Sequence, residues 1–262
     1  MIQGQSYITE EKARGLTAIF KQQLSVFSVK VPWQAVYLHI DMHAGCGWNH
    51  DVGVIGSPVL FAEIATEMNV PFFMVAVEKN KSLAHQLEYA LSPYRANVTV
   101  IAKDNADVCD ELPGIVARRY KRPDSVVGSV LIDPNTPHSI KSGLPWGQFA
   151  NVFQQFKRMD ALFNFPGTSM KRIKHYDAEY VCIADVPRLL NKPHWMIRKP
   201  MGSQQFTMLV GRQCELKECK NIDLVNWNSE VGMEYRKLAE LTTKRYQEWR
   251  MEQRGIVQGE LF

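Results

Sequence analysis

The stretch Tyr37-Leu38-His39-Ile40-Asp41-Met42-His43-Ala44-Gly45-Cys46-Gly47 decides how this chain folds. An apolar run with strand character ends in an acidic residue and opens at once into two glycines spaced G-x-G. Glycine bends a chain where other residues clash and leaves backbone N–H groups uncovered, so such a turn can seat a nucleotide-like ligand. Alone, the spacing admits NAD, a flavin or no ligand. The order downstream narrows it: a second strand ends in Glu78, a third is followed by Asp104, and a fourth ends in Asp133-Pro134.

Outward from this stretch, short β-rich apolar runs alternate with helical patterns. Strands are expected over 36–40, 72–77, 98–102, 126–132 and 161–165, and helices over 58–68, 82–91, 106–120 and 146–156. This alternation specifies βαβ units and a parallel sheet covered on both faces, a doubly wound, Rossmann-like α/β fold. In such sheets the ligand lies beyond the carboxyl ends of the strands, positions held here by Asp41, Glu78, Asp104 and Asp133. Ala13, Leu16, Ile19, Phe20 and Leu24 recur at helical spacing and predict an amphipathic helix over 9–24. A late strand is expected over 206–210, and a C-terminal helix over about 232–254 carries Met233, Leu238, Leu241, Tyr246 and Trp249. Between the strand over 161–165 and this late strand, about 167–200 reads as a long excursion from the sheet, and excursions of that length are commonly functional or disordered.

With 262 residues, 45% of them hydrophobic, the chain is long enough to bury one large core, and a single domain over 1–262 is expected. It shows no repeat, no signal-peptide pattern and no apolar run of about 18 residues, so a soluble cytoplasmic protein without membrane contact is expected. Five scattered cysteines suit a reducing compartment and read as small buried hydrophobes. The net charge of +4 is unevenly spread: residues 157–200 hold nine basic against four acidic residues, while the rest of the chain carries 22 and 23. Phe163, Phe165, Tyr176, Tyr180 and Trp195 are interleaved with those bases, a composition suited to phosphates and stacked bases, so DNA or RNA is the expected partner. The other reading is a solvated loop with a few core aromatics.

The acidic strand ends favour a cofactor with hydroxyls and an amino group. A carboxylate ending the second strand accepts hydrogen bonds from ribose hydroxyls, the position of Glu78. The phosphate loop of NTPases is absent, and His50 stands where a third glycine would complete G-x-G-x-x-G, which disfavours NAD. A sulfonium cofactor brings positive charge and an amino-acid group, both served by acids beside an open glycine turn, so S-adenosylmethionine fits better. The histidines at 39, 43 and 50 beside Cys46 match no zinc spacing, and no metal is expected. Cys214 and Cys219 are similarly weak as a pair, and His138 reads as structural, with a catalytic base as the other reading.

With this ordering the chain resembles the class I methyltransferases over roughly 35–166. A narrower resemblance is to the three-Cys-motif partner proteins and related phage or plasmid methyltransferase-like sequences, through Asp41-x-x-Ala44-Gly45-x-Gly47, Gly56-Ser57-Pro58, Glu78-Lys79-Asn80, Leu131-Ile132-Asp133-Pro134 and Asn164-Phe165-Pro166. The resemblance implies S-adenosylmethionine held by Asp41, Ala44, Gly45, Gly47, Glu78, Lys79, Asp104, Asn105 and Asp133. Glu78 would be the ribose acid and Asp104 the acid at the adenine amino group. It also implies Asp133, Pro134 and Asn135 as the catalytic loop, methyl transfer to an exocyclic amine of a base, and a partner protein as a possibility. Ser57 as helix N-cap with Pro58 in the first turn is good capping chemistry in its own right.

The fourth motif departs from the family. Enzymes acting on exocyclic amines of bases read [D/N/S]-P-P-aromatic, the ring stacking on a flipped base; here the run is Asp133-Pro134-Asn135-Thr136. Trp146 or Phe165 is the candidate replacement ring, and Lys171, Arg172 and Lys174 are the candidate target contacts in the excursion. Asp133-Pro134 also reads as a plain strand-ending turn, and Asp104-Asn105 as an Asx turn. Two further readings stay open: a non-catalytic nucleic-acid-binding or assembly protein, and a methyltransferase with a small-molecule or protein acceptor. The sequence sets no oligomeric state.

Overall fold

The computed structural model describes residues 8–31, 36–49, 53–120, 125–134, 144–167, 181–201, 205–215, 218–241 and 245. Its frame is an eight-stranded sheet built around β1 (Tyr37–Asp41), each residue of which is buried. β1 pairs in parallel with β4 (Phe72–Val77) on one side and β6 (Gly128–Ile132) on the other. β5 (Val98–Ile101) extends the first side, and β7 (Met159–Pro166) extends the second. Beyond β7 the pairing turns antiparallel through β9 (Phe206–Arg212), β8 (His194–Arg198) and β10 (Leu224–Asn226). The fold is therefore the doubly wound, Rossmann-like α/β arrangement expected from the strand and helix order.

The apolar strand Phe72–Val77 follows from this position, because a strand covered on both faces favours apolar residues throughout, and in Met159–Pro166 only Asp160 and Asn164 interrupt the apolar run. On one face lie α1 (Ile8–Lys30), α2 (Ser57–Glu67) and α3 (Lys81–Ala90), which share a core cluster containing Phe20, Phe61 and Leu87. The other face is covered by α4 (Asn105–Arg119), α5 (Trp146–Gln155), α6 (Asp185–Leu190) and α7 (Glu230–Glu240), whose cluster holds Val108, Phe149, Val186 and Leu238. α1 runs beyond the expected 9–24 because its buried stripe continues through Phe27 to Val31. Each such side chain stabilises the fold by roughly 1.5–3 kcal/mol.

Three features differ from the sequence expectation. A small hairpin, β2 (Trp48–Asn49) with β3 (Val54–Ile55), separates the glycine turn from α2. The expected excursion over 167–200 is not wholly outside the sheet, since β8 pairs with both β9 and β10. Its ends are charged or polar and only Trp195, Met196 and Ile197 are buried, too short a run to stand out in a basic segment. The helix expected over about 232–254 is α7 in its described part; Met233 is 42% exposed, and Tyr235, Leu238 and Ala239 make the packed face instead. Tyr246 and Trp249 lie outside the described residues.

The closest approach in the sheet is at Gly128, where an added Cβ would stand 1.9 Å from the Leu38 carbonyl oxygen. The Leu38 carbonyl belongs to the backbone of the paired central strand, so it cannot give way. Gly128→Ala is expected to destabilise the fold by about 3 kcal/mol or more, at or beyond the upper end of ordinary overpacking. Urea denaturation of the two proteins checks this; a loss under about 1 kcal/mol contradicts the register.

Candidate functional site

The chain runs outward from β1 to β4 and β5, then returns to β6 on the other side of β1. The switch point therefore lies between the carboxyl ends of β1 and β6, where a crevice opens in sheets of this kind. Asp41 ends β1, and Asp133 follows β6 by one residue.

Asp41 is fully buried. Its Oδ1 accepts from the His43 backbone N–H at 3.0 Å, and its Oδ2 accepts from the Ser57 hydroxyl at 2.6 Å. Ser57 thus does not cap α2 as expected. Gly56 is the N-cap residue, with no side-chain bond, and Ser57 instead joins the helix start to the acid. Pro58 does sit in the first turn. Burial pushes the Asp41 carboxyl up to about 7, opposed by the Ser57 and His43 bonds.

The turn after β1 carries two glycines in the left-handed region, Gly45 at φ 62° and Gly47 at φ 78°. They serve different needs. A Cβ on Gly47 would press on Leu87, Ala90 and Val59 at 2.9 to 3.1 Å, so this glycine lets the turn approach α2 and α3. A Cβ on Gly45 would meet nothing within 4 Å, which leaves that backbone open to a ligand. The Ala44 N–H donates to the Val77 carbonyl at 2.9 Å, and the Gly45 N–H donates to Glu78 Oε2 at 3.0 Å. Glu78 Oε1 accepts from the Asn80 N–H at 2.8 Å, and Asn80 in turn caps α3. The acid after β4 is thereby held against the glycine turn by backbone donors.

Asp104 is the N-cap of α4, accepting from the Ala106 N–H at 3.1 Å, and it pairs with Lys79 at 2.7 Å. The Lys79 bond, then the cap bond, pull its carboxyl below the usual range. The Asx-turn reading is thus realised in the structure as a helix cap. Asn105 lies one residue inside the helix, with its side-chain amide 2.9 Å from His43 Nε2. The His43 Nδ1 accepts from the Asp133 backbone N–H at 3.3 Å. A neutral imidazole has one acceptor nitrogen, here Nδ1, so Nε2 carries the proton; Asn105 Nδ2 stands nearest to it, and a hydrogen bond there requires the amide oxygen in that place. Burial lowers the His43 pKa to about 4, which keeps the ring neutral and preserves this bridge from β1 to β6 and α4.

At the end of β6, Asp133 is 4% exposed. Asn164 near the end of β7 donates to Oδ1 at 2.8 Å. Lys12 of α1 forms an ion pair with Oδ2. Lys12, His43 and Asn164 were not among the residues selected from sequence as site residues. Asn164 was visible within Asn164-Phe165-Pro166; Lys12 carried no local signal.

The structure brings Asp41, Ala44, Gly45, Gly47, Glu78, Lys79, Asp104, Asn105, Asp133 and Pro134 to the same end of the sheet. Asn135, Lys171, Arg172, Lys174, His50, His138, Tyr176 and Tyr180 lie outside the described residues. Phe165 is 1% exposed in the core and presents no free ring face. Trp146, in the first turn of α5, is partly buried with its ring 5.5 Å from that of Phe163, and its Nε1 is buried with no hydrogen-bond partner among the described residues. In the basic segment, Trp195 and Phe163 are core residues. Lys192 donates to the Lys157 carbonyl at 2.9 Å, Arg198 to that of Ile222 at 2.9 Å, and Arg188 pairs with Asp185. Much of the described excess of bases therefore stabilises the fold. No metal-binding group of His, Cys, Asp and Glu occurs among the described residues, and none of the described helices is long and apolar enough to cross a membrane.

These buried groups set opposing pH dependences. His39 in β1, stacked on Phe61 with ring centroids 4.0 Å apart, has its pKa lowered to about 3 by burial. Between pH 4 and 6.5 the unfolded chain protonates His39 and His43 while the folded chain does not, so their contribution is full above about 6.5 and is lost as pH falls. Asp41 acts oppositely: the folded chain keeps a proton that the unfolded chain has released, so its contribution falls as pH rises toward 7. Each group changes stability by about 1.4 kcal/mol per pH unit in its window. Near pH 5–6 two histidines oppose one aspartate, and Asp41→Asn is expected to steepen the acid loss by about 1.4 kcal/mol per unit. Denaturation curves at half-unit pH steps read this slope difference; parallel profiles contradict it.

No protein-family model matches the chain, and no curated protein matches it. Solved structures do. The protein LPL1258 of Legionella pneumophila aligns with a TM-score of 0.53 and 13% identity, over 80% of this chain and 88% of its own. The human methyltransferase 10 domain containing protein aligns with a TM-score of 0.44 and 7% identity over 81% of this chain and 86% of its own. The fibrillarin pre-rRNA processing protein of Methanococcus jannaschii gives 0.43 and 15% over 75% and 76%. At these identities the likeness is one of fold.

Proposed function

We propose that this chain is an S-adenosylmethionine-dependent methyltransferase whose acceptor is an exocyclic amine of a nucleic-acid base. The observation that carries this reading is the open left-handed Gly45 bonded through its N–H to Glu78. That pairing supports a nucleoside against the turn, with the Glu78 carboxylate available to ribose hydroxyls and no phosphate loop beside it. Asp104 and Asn105 at the start of α4 border the same side as adenine contacts, and Asp41 anchors the turn through the His43 N–H and the Ser57 hydroxyl. The cofactor, when bound, supplies an electrophilic methyl group on a cationic sulfur.

Asp133 and Asn164 are the residues proposed to receive the acceptor. A carboxylate fixed by a neighbouring amide can accept an N–H from the incoming amine and orient its lone pair, so positioning is the main contribution. Trp146 is the remaining candidate ring near this end of α5, and Lys171, Arg172 and Lys174 remain proposed target contacts. A second reading, a non-catalytic nucleic-acid-binding or assembly protein, is favoured by one observation: the Lys12 ion pair on Asp133. A small-molecule or protein acceptor would keep the cofactor residues and dispense with the basic segment.

Calorimetry with S-adenosylmethionine separates the first two readings; absence of binding sinks the enzyme. Incubation with labelled cofactor and, separately, DNA, RNA and cell extract identifies the acceptor class. Glu78→Ala is expected to weaken cofactor binding about tenfold or more, the scale of a lost hydrogen bond to a charged group. Asp133→Ala is expected to lower methyl transfer at least about 100-fold while cofactor affinity stays within a few-fold, a split between positioning and binding. Full transfer by Asp133→Ala would refute its role.

A further inference from the structure

Both oxygens of Asp133 are engaged. Asn164 holds Oδ1, and the Lys12 ammonium holds Oδ2. Lys12 arrives from far away in sequence, on the first turns of a helix whose place is fixed by Leu16, Ile19 and Phe20 against the sheet and α2. The Lys12 side chain is 20% exposed while that of Asp133 is 5% exposed, so the ammonium covers the carboxylate from the solvent side. Its other neighbours are the Phe206 ring, 6.0 Å from Nζ, and, behind Asp133, the Asp41 carboxyl and the neutral His43 ring.

An ammonium presents N–H donors and no acceptor, which is the hydrogen-bonding face that an amino group offers to a carboxylate. We infer that Lys12 is the internal occupant of an amine subsite, and that the amino group of the acceptor enters by displacing the Lys12 ammonium from Asp133. This rests on the methyl-transfer reading of Asp133 and adds a gate to it. The gate has a physical cause. A buried carboxylate stripped of its partner is strongly disfavoured, so Lys12 leaves only when another N–H donor replaces it. A base that offers oxygen in place of the amine meets a carboxylate still held by Lys12. The motion needed is a swing of a four-carbon stem, with α1 kept in place.

The test compares the wild-type protein with Lys12→Met, which keeps length and removes the charge, and with Lys12→Arg, which keeps both charge and donors. Binding is measured for single-stranded oligodeoxyadenylate and for oligodeoxyinosinate, whose base carries oxygen where adenine carries the amine. Lys12→Met is expected to tighten oligodeoxyadenylate about tenfold and to leave oligodeoxyinosinate within about twofold, while Lys12→Arg stays near wild type. Equal loss for both oligonucleotides makes Lys12 a phosphate contact and overturns the gate. So does no change, or no binding of either oligonucleotide. Reductive methylation of the free protein is a second measurement that needs no Lys12 variant: Asp133→Asn is expected to raise labelling of Lys12 about tenfold relative to the exposed Lys81, and unchanged labelling overturns the gate. Calorimetry with S-adenosylmethionine on the wild-type protein is read apart from these. Absent heat removes the methyl-transfer reading, whereas normal heat with no Lys12 effect removes the gate alone.

Discussion

A carboxylate with no solvent exposure at the end of the central strand constrains the rest of the site. Burying an isolated carboxylate is strongly unfavourable, and Asp41 is accommodated because a hydroxyl and a backbone N–H reach it and because burial favours its protonated form. Those two bonds do structural work. The His43 N–H fixes the direction in which the chain leaves β1, and Ser57 ties the first residue of α2 to the same point. Between them the chain must make a turn with positive φ, which is why glycine stands at 45 and 47. From that turn the His43 ring crosses to the Asp133 backbone and to Asn105, so one side chain joins three strand-to-helix connections.

Four acids line this end of the sheet, and each is compensated differently. Asp41 has Ser57, Glu78 has two backbone amides, Asp104 has Lys79 and a helix start, and Asp133 has Lys12 and Asn164. Glu78 is held by two backbone donors, so its position does not depend on a mobile cation. Lys79 is exposed and its pairing with Asp104 is screened by water. Lys12 is the cation whose contact is shielded. The arrangement suits a ligand that carries hydroxyls toward Glu78 and nitrogen donors toward Asp133.

The parallel half of the fold was legible because buried strands read as apolar runs and the intervening helices carry their own stripes; Phe72–Val77 falls where the pattern put it. The acids at the strand ends were legible for the same reason, since their positions follow once the strands are placed. Partners reached across the fold were not. Lys12 sits in an amphipathic helix among other polar residues, and nothing within its own turn points to a residue on β6. Ser57 shows the limit of local rules: its position and type match a helix cap, yet the nearby buried acid competes for its hydroxyl and wins. Phe165 and Asn164 show another limit, because the motif offers Phe165 as a stacking ring, and only the strand placement assigns Phe165 to the core and Asn164 to Asp133. The bases of 157–200 show that composition does not distinguish an arginine bonded to a backbone carbonyl, as Arg198 is, from one facing a phosphate.

β7 is the seam between the two halves of the sheet, parallel to β6 on one side and antiparallel to β9 on the other. On the β6 side the strand ends build the acidic rim, one residue from each βα connection, as a doubly wound sheet requires. On the β9 side the same end of the sheet carries Phe206, beside which the Lys12 ammonium passes on its way to Asp133. Asn164 stands on the seam and Lys12 comes over it from the first helix. The residue expected to receive an acceptor is thus held by one group belonging to the sheet and one belonging to a helix laid across it. Asn164 is 2% exposed on a buried strand, whereas the longer Lys12 side chain is 20% exposed, so opening of this subsite falls to the helix contact.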